Sequence, residues 1–592
     1  MARQAMSDRQ LATDVLSASA VRRLWTVNYA PVLAVQPQDF AVGTMLPALF
    51  YLFRWGVRRG RGRFAPAFSS GDGGPVRAED VAAKLVQHPA IRVDGPAGPA
   101  ILGDMVLAHC LEARKRSAAR AEPIIRAYPT HYLASWLDLP VKYSNLRYVP
   151  DALAAALAQA PGHSPSHAPG APRLFGAEAL QDNALLRVFA GAVETRGRPS
   201  ALTADQFRDE AADALSAEQV VMARIAGLVG EAPVAAEAIS GQWPLAAGAA
   251  QEFAADFQTV LINGADIMPL TVLTDMLECS IAIGLAVMVL ASTALARNIL
   301  NGGAVSPPER SDKWPLFVDA SMGGQYRLRE LAEESMQGAY RLVRRAPLDL
   351  MVLRILDEMA GVDEALSDEL PPEAPDGFDR VRLLVDVLQS RHARSATIRE
   401  RAAVQCNQLA RAIREQDSAS ELLDLLRDGA VHPVQRLAEV LVRMMGRVSQ
   451  EGHFVKLLSS ALTADEAAPY RLAAQRRARE SRGGVQRSTE VRSLVLSNGV
   501  LDYVVHRHLW SSPHRSVSYR EFLAGLRERY GFFVDAAPPG QPISAEVLRQ
   551  NRSALERRLR DLGLLTGVND AESMKLLHPR FRRLDAAGTA VG

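Results

Sequence analysis

One stretch limits the possible folds more than any other. From Cys279 to Ala296 the chain reads CSIAIGLAVMVLASTALA, eighteen residues without a charge. Such a run must be covered on every side, either by protein or by lipid. Its length is at the lower edge for a membrane span. Ala, Gly, Ser and Thr dilute its hydrophobicity, and no second run like it occurs. The expectation is therefore a buried central helix in a protein without a membrane segment.

The material to cover that helix is present. Apolar residues recur at spacings of three and four around Leu328–Leu342, Leu348–Met359, Val381–Leu388, Ile398–Ile413, Val434–Met445 and Phe454–Leu462. The same pattern appears in Asp205–Leu215 and Val220–Gly230. These predict a mainly α, multi-domain protein. Aromatics are only 6%, which argues against a largely β chain. The expected divisions are a mixed N-terminal domain over 1–158, a linker over 159–173, helical domains over 174–301 and 302–481, and a C-terminal module over 488–592. QAPGHSPSHAPGAPR, 159–173, has a linker composition, and His163 and His167 within it have no acidic or thiol neighbours to complete a metal site. The basic, glycine-containing RRARESRGGVQRS, 476–488, is the expected last boundary.

Several function classes are excluded by cheap tests. The three cysteines, Cys110, Cys279 and Cys406, are odd in number and far apart, so they read as small core hydrophobes in a reducing compartment. The first sixteen residues hold no apolar signal segment, and a cytoplasmic location is the expectation. Only six lysines occur: Lys84, Lys115, Lys142, Lys313, Lys456 and Lys575. None precedes Ser or Thr, so there is no P-loop. None has Asp, Glu or His two positions before it, which removes two common nuclease patterns. Kinase signatures are absent as well. No cofactor or metal is expected.

Two segments could carry chemistry and each has a plain alternative. LFYLFRWGVRRGRGRF, 49–64, places aromatics beside Arg54, Arg58, Arg59, Arg61 and Arg63. It reads either as an anion-binding strip or as a buried aromatic helix followed by a solvated basic turn. WPLFVDASMGG, 314–324, reads as a strand entering a tight loop. Asp319 and Ser321 partly match a metal-binding D-x-S-x-S pattern and half of a nucleophile elbow, yet Gly323 and Asp319 each break one of the two. The alternative is a strand end before a capped helix entering at Tyr326.

The C-terminal region is different in charge. From Arg487 onward sixteen Lys and Arg face eleven Asp and Glu, a net +5 within a chain of +2. Leu494–Trp510 reads as a first helix. Ser518-x-x-Glu521 is a capping box opening a second, which Gly531 ends. Ser544 can cap a third, Ala545–Leu562, stopped by Gly563. LLTGV and SMKLLHP, flanking Asn569 and Asp570, read as a hairpin.

Three helices, an Arg-rich third helix and a terminal hairpin over Leu494–Phe581 resemble the winged-helix variant of the helix-turn-helix. The resemblance implies a third helix in the major groove and a wing on the backbone. It places Arg549, Asn551 and Arg552 at base edges or phosphates, and Arg557, Arg558 and Lys575 on phosphates. Winged helices also serve as protein-protein modules. In size and layout the chain is similar to accessory components of bacterial multi-gene antiviral or restriction systems. That similarity implies a non-enzymatic scaffold binding DNA or RNA and protein partners. A transcription regulator with a large sensing body, or an enzyme using Asp319 and Ser321, are the alternatives.

Overall fold

The computed structural model describes residues 2–55, 76–89, 91–117, 120–125, 137, 146–158, 182–189, 243–303, 313–372, 377–415, 420–482, 485–512, 516–566 and 575–581. The basic part of the 49–64 strip from residue 56, the 159–173 linker and the helical patterns at 205–215 and 220–230 lie outside the described residues.

The protein is mainly α. N-terminal helices α1 (Ala2–Leu16), α2 (Ala18–Leu24), α3 (Met45–Trp55), α4 (Ala78–Val86) and α5 (Gly98–Cys110) precede a hairpin, β1 (Leu111–Ser117) with β2 (Arg120–Ile125). The aromatic half of the 49–64 strip forms the end of α3, where Phe50, Tyr51, Leu52 and Phe53 are buried. After α6 (Val149–Ala158) and α7 (Ala184–Val188) come α8 (Ala247–Gly264) and the central α9 (Leu270–Leu300).

The uncharged run is the middle of α9, and it is covered by protein. Its most apolar eighteen-residue window is 89% buried. A missing side chain lets a neighbour come near: a Cβ on Gly284 would lie 2.3 Å from the Phe253 ring of α8. Gly284 therefore sets how near α8 and α9 can come.

A two-residue strand, β3 (Leu316–Phe317), leads to α10 (Tyr326–Val362). The sequence periodicity suggests two helices here, and the structure forms one of 37 residues with Pro347 inside it. Burial of Leu342, Val343, Ala346, Pro347 and Leu350 on one side keeps the turn helical despite the missing N–H. Helices α11 (Glu364–Glu369), α12 (Phe378–Leu388), α13 (Ser395–Glu415), α14 (Ser420–Arg427), α15 (Pro433–Met444) and α16 (Arg447–Ala461) follow. Of these, α12, α13, α15 and α16 match amphipathic segments read from the sequence, whereas α11 and α14 were not among them. Cys110, Cys279 and Cys406 are free thiols in the core.

The expected boundary at 476–488 is a long antiparallel ribbon instead, β4 (Ala473–Arg482) with β5 (Val485–Leu494). Ten consecutive residue pairs run from Ala473–Leu494 to Arg482–Val485 without a bulge. Next come α17 (Asn498–Ser511), α18 (Tyr519–Tyr530), β6 (Phe532–Phe533), α19 (Ala545–Asp561) and the short pair β7 (Leu565–Thr566) and β8 (Leu576–Leu577). β3 pairs in parallel with β6, and Val318 bridges to Leu494 at the end of β5. One apolar cluster of buried side chains extends from Leu11 to Leu577.

Candidate nucleic-acid interface

Local sequence builds the C-terminal helices as expected. The Ser518 hydroxyl accepts from the Glu521 N–H at 3.2 Å, and the Glu521 carboxylate accepts the Ser518 N–H at 2.8 Å, so the capping box is complete. These bonds to the anion hold the Glu521 carboxyl below its usual range. Gly531 ends α18 at φ +73°, where a Cβ would meet the Trp314 carbonyl at 2.6 Å. Ser544 caps α19, and Gly563 follows it at φ +70°.

The face that α19 turns inward is decided by packing. Leu555, Leu559 and Asn551 are fully buried. Asn551 Nδ2 donates to the Val318 carbonyl at 2.8 Å and the Val534 carbonyl at 2.9 Å. Its Oδ1 accepts the Ala320 N–H at 2.9 Å. One amide thus joins α19, the chain leaving β3 and the chain leaving β6. Both its donors are used in this way, which leaves none for a base edge. Arg558, seven residues on, lies on the same side of the helix. Its Nη2 donates to the Leu496 carbonyl at 2.7 Å and Asn498 Oδ1 at 2.9 Å. Lys575 is buried against Glu556, its Nζ 2.9 Å from the carboxylate.

Two of the three remaining sequence candidates, Arg549 and Arg557, lie on the outer face. Arg549 is exposed and paired with Glu546 one turn earlier. Arg557 is exposed, with no ion pair among the described residues, and Arg560 beside it pairs with Glu556 at 2.7 Å. Arg552 is half-buried, and its carbonyl accepts the Tyr519 hydroxyl at 2.8 Å. The structure therefore brings Arg549 and Arg557 to the outer face, leaves Arg552 half-buried at its edge, and separates Asn551, Arg558 and Lys575 from it.

Asp319 and Ser321 shape a turn. Asp319 is fully buried, and its Oδ1 accepts from the Ser321 N–H at 2.9 Å and the Ser321 hydroxyl at 2.6 Å. Its Oδ2 accepts the Gly323 N–H at 2.8 Å. The Ser321 oxygen in turn accepts the Gln325 N–H at 2.9 Å. Desolvation raises the Asp319 pKa despite these bonds. The serine proton points at the carboxylate, and the whole group turns the chain from β3 into α10. The same turn carries the Asp319 N–H that donates to the Leu494 carbonyl at 2.9 Å, which pins β5.

A second buried cluster joins this region to α8. Asp256 is 2% exposed and receives the Arg507 guanidinium, the Arg529 guanidinium at 2.6 Å and the Tyr530 hydroxyl at 2.8 Å. Sequence periodicity alone cannot reveal it, because its members lie more than 250 positions apart. His506 and His508, two residues apart and so on different sides of α17, are both buried as well. His506 Nε2 accepts the Arg580 N–H at 3.0 Å, and His508 packs edge-on against Phe522. Burial pushes each imidazole down to about 4. Among the described residues no group of three or more His, Cys, Asp or Glu is placed to hold a metal.

These features define a mainly helical protein with an extended two-stranded ribbon and a basic helix exposed near its C-terminus. The chain belongs to the methylation-associated defense system protein MAD7 family, whose model matches residues 213–581. It is thus a defence-system component. No curated protein and no solved structure matches it.

Proposed function

We propose that this defence-system component is a non-enzymatic scaffold of a larger assembly that holds duplex DNA through its last ~90 residues. In this reading they form a winged-helix-like module acting in the cytoplasm. The observation that carries the reading is the two-sided character of α19. Its inner face is anchored by Asn551, Leu555, Arg558 and Leu559, while Arg549 and Arg557 are exposed on the opposite, outward side and Arg552 lies half-buried at the edge between the two. An anchored helix with outward arginines suits phosphate contact, because the charges are held in place before the ligand arrives. The order of three helices and a short strand pair, together with the antiparallel bridge from Ser518 to Leu576, supports the winged-helix comparison. Asp319 and Ser321 act as a turn in this account.

The test is fluorescence anisotropy of the full chain with labelled duplexes across a salt series. Binding should weaken as salt rises, because displaced phosphate counterions favour dissociation. Arg549→Ala with Arg557→Ala should lower the slope by about two, at ~0.9 per phosphate contact. A folded chain without salt-dependent binding would make the module a protein-protein adaptor and remove the nucleic-acid half of the proposal.

A further inference from the structure

Between α13 and α15 lies a cleft of about 400 Å³ that the function proposed above does not use. Small-ligand pockets run from ~300 to ~1,000 Å³. Ala396 and Ala403 of α13 and Gly429 of the loop before α15 are small and leave it open. Arg399 and Glu400 of α13 and Arg436 of α15 are its charged lining. The two helices are tied beside it by the Cys406 thiol, which donates to the Pro433 carbonyl at 3.4 Å.

Both arginines have donors to spare. Arg399 is exposed, and its side chain makes no hydrogen bond or ion pair among the described residues. Arg436 is half-buried and held in place, its Nη1 donating to the Leu426 carbonyl of α14 at 2.6 Å. Its Nε–H is buried with no acceptor. A charged donor buried without a partner is costly, and an anion in the cleft would remove that cost. Arginines further along the chain differ: Arg443 and Arg447 meet Glu439, and Arg447 also meets Glu451. His432, which caps α15, registers the uncancelled charge. Its burial, then the charges of Arg399 and Arg436, push the imidazole down to about 4, and its Nδ1 accepts the Val434 N–H at 3.3 Å.

The lining indicates the ligand. Two guanidinium groups on facing helices suit a terminal phosphate, whose oxygens take charge-assisted N–H bonds from both. Glu400 is exposed and has no ion pair among the described residues. It repels a phosphate and instead accepts from hydroxyl or amino groups on the body that carries one. No aromatic residue lines the cleft, so nothing there stacks a ring. We propose that the α13–α15 cleft binds a small phosphate monoester of the nucleoside monophosphate class, with its phosphate between Arg399 and Arg436 and a hydroxyl donating to Glu400. The site is independent of the C-terminal module, which contributes no residue to the cleft.

The experiment is calorimetric titration of the full chain with adenosine monophosphate, adenosine and inorganic sulfate at one ionic strength. The monophosphate should bind at one site, sulfate more weakly, and adenosine not at all. Arg399→Gln should weaken the monophosphate about tenfold or more, the size of a lost charge-assisted hydrogen bond. Arg399 is exposed and unpaired, so this variant keeps the fold; a melting curve checks it. Gly429→Leu gives a second test. A Cβ there meets nothing within 4 Å, so the side chain adds bulk at the cleft wall without a clash and should block binding at an unchanged melting temperature. Glu400→Gln should weaken the monophosphate and strengthen sulfate. Arg411→Gln, on an exposed position of α13 outside the cleft, should bind as wild type. An equal loss in Arg411→Gln would reduce the binding to surface charge and overturn the site. So would a wild type that binds no monophosphate, or binding untouched by Arg399→Gln and Gly429→Leu. If a single strand with a terminal phosphate binds in the cleft and the monophosphate does not, the ligand is a nucleic-acid end and the small-ligand proposal falls. The Arg549→Ala, Arg557→Ala variant should bind the monophosphate as wild type, so this proposal and the duplex reading fail separately.

Discussion

Replacing Asn551 separates architecture from recognition on one residue. By sequence it stands among the candidate base-reading residues; by position it is a buried joint. Asn551→Ala removes three hydrogen bonds of 2.8–2.9 Å and leaves an amide N–H and two carbonyls without this partner. Each net bond contributes about 1 kcal/mol, and an orphaned buried donor costs about 1–3 kcal/mol more. The sum is about 4–6 kcal/mol, before the small cavity is counted. Asn551→Asp should cost no less, since a carboxylate cannot donate to Val318 and Val534 and would face their carbonyl oxygens. The assay is urea unfolding followed by tryptophan fluorescence, with duplex affinity measured on the folded protein below the transition. The expected result is a large fall in the unfolding midpoint and little change in sequence preference among folded molecules. A variant as stable as wild type that binds DNA more weakly would refute the joint and restore Asn551 to the binding surface.

Three further outcomes follow from the same geometry. Asp256→Ala leaves the buried Arg507 and half-buried Arg529 guanidinium groups without their carboxylate, so it should destabilise the protein by about 3–5 kcal/mol in urea unfolding; a loss below 1 kcal/mol would mean that the cluster is not a clamp. Gly284→Ala drives a methyl group into the Phe253 ring and should cost about 1–3 kcal/mol, and an unchanged melting temperature would argue against close packing of α8 on α9. The native pKa values of His506 and His508, about 4, lie below the unfolded value of 6.5. Their neutral forms are therefore fully favourable above pH 6.5, and that stability is lost as pH falls toward 4, by about 3 kcal/mol per histidine. Wild type should lose stability relative to a His506→Gln, His508→Gln variant over this window, and parallel pH curves would contradict the assignment.

Much of the local architecture was legible along the chain because it depends on short-range rules. The uncharged 279–296 run had to be surrounded, and it became the middle of α9. Ser518 with Glu521, Gly531 and Ser544 marked helix ends through hydrogen bonds and backbone freedom that need only a few neighbouring residues. The turn reading of Asp319 and Ser321 was likewise available, as a strand end before a helix starting at Tyr326. The ribbon was missed although a signal existed: a Gly-Gly pair, 483–484, between two equal polar runs is a sequence that favours a hairpin. Its arginines and glycines suggested a linker, because strands without an apolar face lack the usual alternation.

Tertiary structure alone decided which polar residues of α19 face inward. Asn551 and Arg558 fall on the side of Leu555 and Leu559, and their polarity hid that phase. They can be buried because carbonyl and N–H groups from β3, β6 and the chain after β5 converge there, from segments 17 to more than 230 positions away. The same holds for Asp256, whose charge is tolerable in the core only when Arg507, Arg529 and Tyr530 reach it. A sequence specifies hydrogen-bonding capacity at each position, but whether that capacity is met by the protein or left for a ligand depends on groups that only folding brings together.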